Sequence, residues 1–222
     1  MRKLNRPMPA PVGLSNYNYT THKWTKNRPS KACRDAIWTQ VGVMQGGFCV
    51  YCESVAHTVN GHIEHFFHKG QKPDGTKPYQ HLTFDWGNLF GCCGLRSGDT
   101  CGHYKDRQGP NGPGVYDAND IIKPDVEDPL LFFSFLDTGV IVVKTGISPK
   151  DQRKATETLR VLNLDHLNGA RKIQIDIFKK ELEALEILSV NLDAVTLQSE
   201  IDKIKAKVRL QEYQSAVLGA LF

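Results

Sequence analysis

The stretch that decides the fold opens with Cys49-Val50-Tyr51-Cys52 and ends with Cys92-Cys93 and Cys101-Gly102-His103-Tyr104-Lys105. A Cys-x2-Cys pair with further cysteines downstream is the usual spacing of a tetrahedral zinc site. Between the two halves lies Gly61-His62-Ile63-Glu64-His65-Phe66, which carries a carboxylate and two imidazoles. A zinc ion bound by the flanking thiolates would hold these polar side chains within one small unit.

The composition is that of an ordinary globular protein. The chain has 222 residues, of which 40% are hydrophobic, and a net charge of +4. No segment reaches the roughly 18 consecutive apolar residues of a membrane span. The basic N-terminus is not followed by the apolar core of a secretory signal. We therefore expect a cytoplasmic protein that makes no membrane contact.

Five of the six cysteines lie between residues 49 and 101. Disulfides are rare in a reducing cytosol, so this crowding favours metal binding. A small redox site or incidental buried cysteines are the alternatives, but neither explains why the thiols occur in pairs around one loop-rich stretch. Cys33 stands apart and is expected to be a small apolar core residue.

Positive charge is concentrated in residues 1–48, which hold eight Lys or Arg and one acid. A basic arm of this kind can contact phosphates. It can equally serve solubility or dock on an acidic partner, and the sequence leaves these possibilities open.

We predict an α+β protein with three regions. Residues 1–44 form an extended basic arm and a helix that Ser30 caps and Gly46-Gly47 ends. Residues 45–120 form a zinc-clamped core with a strand at 57–67, polar loops at 69–81 and 94–100, a strand or turn at 82–86, and a short helix from Asn88. Residues 121–222 form a hairpin around Asp137-Thr138-Gly139, followed by helices at about 149–161, 166–189 and 193–218. The predicted buried stripe of the second of these helices is Ile173, Ile177, Leu185 and Leu188.

The polar residues of the core match the needs of phosphodiester hydrolysis, which requires an activated water and a cation to stabilise the phosphate oxygens. His65 is the candidate general base, and the Asn88 amide oxygen would orient it by accepting from one ring nitrogen. Glu64 and His103 are candidate ligands of a divalent cation, although Glu64 needs a bend in the strand to reach it. Lys105 is a candidate phosphate contact. His62 is either a second metal contact or a strand residue.

Several segments resemble the HNH endonucleases of bacterial antiphage defence, specifically the nuclease subunit of Septu systems and its retron-associated relatives. Residues 45–53, Gln-Gly-Gly-Phe-Cys-Val-Tyr-Cys-Glu, are similar to the family's Q-x-G-x-C-x-Y-C-E. His62-Ile63-Glu64-His65-Phe66 resembles its I-E-H-F, and Trp86-Gly87-Asn88-Leu89 its W-x-N-L. Weaker likenesses cover the N-terminal arm, residues 1–14, and the segment Leu159-Arg160-Val161-Leu162-Asn163-Leu164.

The resemblance implies a ββα-metal fold, DNA as the substrate, and control by an ATPase partner of the ABC or SMC-like type. It assigns the base to His65, metal ligation to Glu64 and orientation to Asn88. It gives structural zinc to Cys49, Cys52, Cys93 and Cys101, whereas spacing alone does not choose between Cys92 and Cys93. We expect Mg²⁺ or Mn²⁺ as the catalytic cation.

Two departures from the family pattern bear on activity. The family has proline a few residues after the histidine, where this chain has Phe67-His68-Lys69. Its closing motif C-[ND]-x-x-K-G corresponds here to Cys101-Gly102-His103-Tyr104-Lys105-Asp106, so a glycine stands where a metal ligand is expected. The alternative function is therefore a catalytically inactive, zinc-clamped adaptor or DNA-docking subunit.

Overall fold

The structure, a computed structural model, describes residues 1–71, 75–94 and 98–222, so the loops predicted at 69–81 and 94–100 lie partly outside the described residues. It is a mixture of helices and two small antiparallel sheets, as the α+β prediction required. The strands are β1 (Gly61–His65), β2 (Leu89–Cys93), β3 (Phe133–Phe135) and β4 (Ile141–Val143). The helices are α1 (Lys31–Gln45), α2 (Cys101–Lys105), α3 (Pro149–Leu162), α4 (Asn168–Ser189), α5 (Ala194–Val208) and α6 (Gln214–Leu221). No described helix is long and apolar enough to cross a bilayer.

Helix α1 begins and ends where its sequence predicts. The Ser30 side chain accepts a hydrogen bond from the backbone N–H of Cys33, and Gly46 ends the helix in the left-handed conformation with φ 65°. The buried face includes Cys33, Ile37 and Val41, so the prediction that Cys33 is a core residue is confirmed. Buried side chains that recur at helical spacing form one apolar stripe, and this stripe packs the helix against a sheet.

Strand β2 lies directly against α1. The buried amide of Gln45 donates to the Gly91 carbonyl at 2.8 Å and accepts from the Gly91 N–H at 2.8 Å. A side chain at position 91 would meet Val41 at 2.5 Å, so glycine is what permits this close approach. The helix predicted from Asn88 onward is therefore wrong. Leu89–Cys93 is fully buried and pairs with β1, with Glu64 opposite Phe90 and His65 opposite Leu89.

The second sheet is the predicted hairpin. Strands β3 and β4 pair with Phe133 opposite Val143, and Gly139 has φ 81° in the turn between them. Only glycine adopts that conformation without steric cost. The hairpin packs against α6 rather than against the first sheet.

The C-terminal helices differ from prediction in two ways. The helix predicted at 193–218 is two helices, α5 and α6, separated by a turn in which Tyr213 has φ 56°. The predicted buried stripe of α4 is also largely wrong, because Ile173, Ile177 and Leu188 are 63%, 51% and 61% exposed. The face that packs inward is instead Arg171, Ile175 and Phe178, with Leu182 and Leu185 at its edge.

The N-terminal arm and helix α6 both contact Glu53, the residue that follows the first cysteine pair. The buried carboxylate of Glu53 accepts from the hydroxyl and backbone N–H of Ser215, and it lies 3.3 Å from the Met1 amino group. The arm continues along the core, where Arg6 pairs with Asp125 at 2.7 Å and donates to the Trp86 carbonyl. These arginine contacts are internal, so this part of the arm's positive charge stabilises the body itself.

Candidate metal centre and the buried charge network beside it

Four thiols converge at the junction of β2, α2 and the turn after α1. The Sγ atoms of Cys49, Cys52, Cys93 and Cys101 all lie within 4.8 Å of one another, and all four residues are buried. Thiolates around a tetrahedral zinc ion at 2.3 Å stand about 3.8 Å apart, and Cys52 and Cys93 are 3.7 Å apart. A disulfide requires about 2.05 Å. This four-thiol cluster could hold a metal ion such as zinc.

Local structure supports the four-thiol cluster. The turn after Cys52 places Glu53 at φ 67°, which brings the Ser54 backbone N–H to 3.4 Å from the Cys52 Sγ. Hydrogen bonds from the Cys101 and Cys49 thiols lower the pKa of Cys93 to about 4. A low pKa favours the thiolate form that metal ions bind.

Cys92 is a fifth buried thiol beside the cluster. Its Sγ lies 3.7 Å from that of Cys49, and it accepts a hydrogen bond from the Gly102 N–H at 3.3 Å. Cys93 rather than Cys92 belongs to the group of four. Cys92 thus contacts both the cluster and the first turn of α2.

Glu64 lies at the centre of a buried charge network. One carboxylate oxygen contacts the Lys105 ammonium at 3.0 Å and the Tyr51 hydroxyl at 3.1 Å, and the other lies 3.3 Å from His62 Nε2. Burial alone would raise the pKa of Glu64, but Lys105 and His62 together hold it well below its usual range. The carboxylate is therefore ionised at neutral pH.

Lys105 is committed to this network and does not face solvent, contrary to the expectation that it contacts phosphate. The residue is 1% exposed. Its ammonium also donates to Asp106 Oδ1 at 2.5 Å and to the His65 carbonyl at 3.2 Å. Burial raises the pKa of Asp106, while Lys105 partly offsets that rise.

His65 is buried on the opposite side of β1 from Glu64. Its Nε2 lies 3.0 Å from the Thr83 carbonyl, its Nδ1 lies 3.2 Å from the Lys69 ammonium, and the Trp24 ring packs edge-on at 4.5 Å. A carbonyl only accepts, so the proton is on Nε2 and the Nδ1 lone pair accepts from Lys69. Burial, reinforced by the nearby charge of Lys69, lowers the pKa of His65 to about 3.

Asn88 does not contact His65, so the predicted hydrogen bond between them is wrong. Its Oδ1 accepts from the Phe67 N–H at 2.7 Å, and its Nδ2 donates to the carbonyls of Phe67 and Leu82 at 3.0 and 3.1 Å. The amide ties the residues that follow β1 to the loop that precedes β2. The orienting role expected of Asn88 falls to the Thr83 carbonyl.

His103 is exposed on α2 and packs against His62, with ring centroids 4.2 Å apart and the ring planes tilted by 42°. Nearby, a cleft of about 510 Å³ opens over Lys105 and Asp106 and is lined by Tyr79, Tyr116 and His68, among others. His65 is not among the residues that line it. The structure therefore brings Glu64, His103 and Lys105 to one side of β1 and leaves His65 on the other.

Sequence reasoning missed four participants: Tyr51, Lys69, Thr83 and Asp106. Lys69 and Asp106 are close in sequence to His65 and Lys105, and a search for charges beside the predicted site would have found them. Tyr51 lies inside the Cys49–Cys52 turn, but nothing marks it as a partner of Glu64. Thr83 acts through its backbone carbonyl, which no side-chain pattern predicts.

No model of a known protein family matches the chain, and no curated protein matches it either.

Proposed function

We propose that the chain is a metal-dependent endonuclease of the HNH type that hydrolyses DNA, with structural zinc in the four-thiol cluster. The observation that carries the proposal is the arrangement of β1, β2 and α2. Two antiparallel strands and a short helix meet at four thiols, and Lys105 of α2 contacts both Glu64 and the backbone of His65, at the end of β1. The Glu64 carboxylate and the His65 imidazole stand on opposite sides of the end of β1, and Lys105 links the carboxylate to the backbone beside the imidazole. A carboxylate that can meet a cation and an imidazole that can take a proton are the two groups that phosphodiester hydrolysis needs.

In the proposed hydrolysis, the bound cation and the residues around His65 have separate roles. A divalent cation, when bound, stabilises the phosphate oxygens and the leaving alkoxide. Nδ1 of His65 takes a proton from the attacking water, and the Thr83 carbonyl keeps the other ring proton on Nε2. Asn88 holds the loop that carries Thr83 against the end of β1 through its bonds to Phe67 and Leu82.

In the described conformation, neighbouring side chains cover the ring of His65, the proposed base. Trp24 covers the His65 ring and Lys69 occupies its lone pair, so water has no access to Nδ1. A base with a pKa of about 3 is also weak. Activity therefore requires the Trp24 segment and Lys69 to move, which would raise the pKa of His65 toward its usual value.

We infer further that the nuclease is the effector of an antiphage complex controlled by an ATPase partner of the ABC or SMC-like type. The support from this chain is a set of exposed apolar side chains along α4 and at its end, which we call the tail surface. It is formed by Ile173, Ile177, Ile187, Leu188 and Val190, all more than half exposed. Ile173 and Ile177 lie one helical turn apart on the same face of α4, and an apolar stripe left on the outside of a helix is a candidate docking face for a partner.

The test of catalysis is a His65→Ala variant assayed on plasmid DNA with Mg²⁺ or Mn²⁺, alone and together with an ATPase of the proposed class. We expect cleavage to fall at least about 100-fold, since general-base catalysis contributes about that much, while zinc content is unchanged. The matched control is His81→Ala, which removes an exposed histidine. Full cleavage by His65→Ala would refute the proposal.

A second function, a DNA-docking adaptor without catalytic activity, is favoured by one observation. The base is 1% exposed and paired with Lys69, and the Glu64 carboxylate is already paired with Lys105. Plasmid DNA separates the two functions: a nuclease converts supercoiled DNA to nicked or linear forms with a divalent cation, whereas an adaptor only retards its migration.

A further inference from the structure

The cleft over Lys105 and Asp106, which we call the tyrosine cleft, has no part in the proposed hydrolysis. Its volume is about 510 Å³, which lies within the range of pockets that hold small organic ligands. Tyr79 and Tyr116 line it with aromatic rings, and His68 and Asp106 place polar groups on its wall. Aromatic walls with a few convergent polar groups are typical of a ligand site.

The ring of Tyr79 is held in place before any ligand binds. Its hydroxyl donates to Asp117 Oδ1 at 3.2 Å and accepts from Asn119 Nδ2 at 3.3 Å. The Phe67 ring supports it, with ring centroids 4.9 Å apart. A flat ligand can therefore stack on this wall of the cleft without the cost of ordering the tyrosine side chain.

The carboxylate of Asp106 has one oxygen that can accept a hydrogen bond from a ligand. Its Oδ1 accepts from the Lys105 ammonium at 2.5 Å. Its Oδ2 lies 3.6 Å from His68 Nε2, which is longer than a hydrogen bond, and no other described residue donates to it. Burial lowers the pKa of His68, although Asp106 opposes this, so the ring is neutral at neutral pH and has one N–H to donate. An acceptor and a donor thus lie side by side in the cleft.

The charges of the cleft wall favour a neutral ligand. The Lys105 ammonium is already paired with Asp106 and Glu64, and the Arg107 guanidinium is paired with Asp99 at 3.0 Å. An anionic ligand would have to compete with these carboxylates for its cation. A cationic ligand would stand beside Lys105 and Arg107, which both line the cleft. A neutral ring that donates one hydrogen bond and accepts another avoids both costs.

We propose that the tyrosine cleft binds one adenine or cytosine ring. The amino group of the ring donates to Asp106 Oδ2, the neighbouring ring nitrogen accepts from His68, and the ring stacks on the tyrosine side chains. Uracil and thymine bind more weakly, because their ring N–H lies between two carbonyl oxygens that repel the carboxylate. The ring belongs either to a free nucleoside or to an unpaired base of a strand. The inference concerns binding alone and does not require that the chain cleaves DNA.

Cytidine and uridine are a matched pair of ligands for the test, since they differ only in the amino group and the protonation of the ring nitrogen beside it. In an NMR titration of the purified protein, cytidine should bind saturably and shift the ring signals of His68 and Tyr116. Uridine should bind at least about 10-fold more weakly, because it leaves the acceptor of Asp106 without a donor. Equal affinity for the two nucleosides, or no saturable binding of either cytidine or adenosine, would overturn the inference.

Variants of Asp106 and Tyr116 test the two kinds of contact. In Asp106→Asn, Lys105 holds the amide oxygen and the amide N–H₂ faces the ligand's amino group, so cytidine affinity should fall at least about 10-fold. Tyr116→Ala should weaken binding about 5-fold or more through lost stacking, whereas Tyr116→Phe keeps the ring and should bind as the wild type does. Melting temperatures show that each variant folds, and the comparison of cytidine with uridine needs no variant. Unchanged cytidine affinity in folded Asp106→Asn would contradict the proposed hydrogen bond.

Oligonucleotides identify the source of the ring. An oligodeoxycytidine that displaces cytidine and binds through Asp106, while oligothymidine of equal length does not displace it, assigns the cleft to an unpaired base of a strand. Cytidine binding that neither oligonucleotide displaces assigns it to a free nucleoside. Both results support the inference, and a protein that binds cytidine in this way but never cleaves DNA refutes the nuclease alone. A protein that cleaves DNA and does not distinguish cytidine from uridine refutes the inference alone.

Discussion

At the residue scale, the neighbours of His65 determine its tautomer, its accessibility and its pKa. A hydrogen bond to the Thr83 carbonyl fixes the tautomer, and Lys69 and Trp24 cover the ring. Burial is the main cause of its low pKa. The same side chain would be an ordinary, titratable histidine on a surface strand, so its chemistry depends on whether that cover is in place.

Removing the Trp24 ring should change the pKa of His65 and the reactivity of its Nδ1. In Trp24→Ala, we expect the pKa of His65 to rise above about 3 because solvent reaches the ring, and its Nδ1 should become reactive toward diethylpyrocarbonate. NMR titration of the histidine ring and mass spectrometry of the modified peptide measure the two effects. The control is Tyr19→Ala, which removes a partly exposed aromatic side chain of the same arm. A His65 that stays unreactive and keeps its low pKa would show that Trp24 is not its cover.

The sequence predicts some residue contacts and not others, for a physical reason. Cysteine spacing predicts that Cys49, Cys52 and Cys101 meet one thiol of the Cys92-Cys93 pair, because ligands of one ion must converge. The choice of Cys93, which the four-thiol cluster contains, came from the family resemblance. The predicted hydrogen bond between Asn88 and His65 is wrong, because the His65 ring is bonded to the backbone carbonyl of Thr83 and not to the Asn88 amide. Backbone groups are present at every position, so their use as partners leaves no mark in the sequence.

At the element scale, the elements with local signals form as predicted. Helix α1 has its Ser30 cap and Gly46 end, α3 has Ser148 as its cap and proline at its start, and the β3–β4 hairpin has Gly139 in its turn. Strand β2 stands where a helix is predicted, because its conformation depends on pairing with β1 and on Gln45, which is 46 residues from Gly91 in the sequence. The buried face of α4 was misplaced because that helix carries two apolar stripes.

The exposed stripe of α4 supports a prediction about the proposed ATPase partner. Ile173→Glu combined with Ile177→Glu places charges on the tail surface, so we expect partner association in a pull-down to fall about 10-fold or more. The fold should persist because neither side chain is buried. Val126→Glu, which alters another exposed apolar residue, is the control. Undiminished capture of the partner by the double variant would exclude the tail surface as the docking site.

At the scale of the whole molecule, the four-thiol cluster joins segments that are far apart in sequence. It connects the turn after α1, the end of β2 and the start of α2. Glu53, next to Cys52, contacts both α6 and the amino group of Met1. The arm, the first sheet and the last helix therefore all depend on the geometry of one site, and the polar network of Glu64 and Lys105 lies beside it.

The measurement that tests this account most directly is the metal content and sulfur coordination of the purified protein. We predict one zinc ion per chain, surrounded by four sulfur atoms at about 2.3 Å in X-ray absorption spectra. Replacing Cys52 with Ser should lower zinc occupancy and unfold the protein at a lower temperature, whereas Cys33→Ser, outside the cluster, should retain the zinc. A protein that folds without metal, or whose Cys49, Cys52, Cys93 and Cys101 are joined in disulfides, would contradict the account.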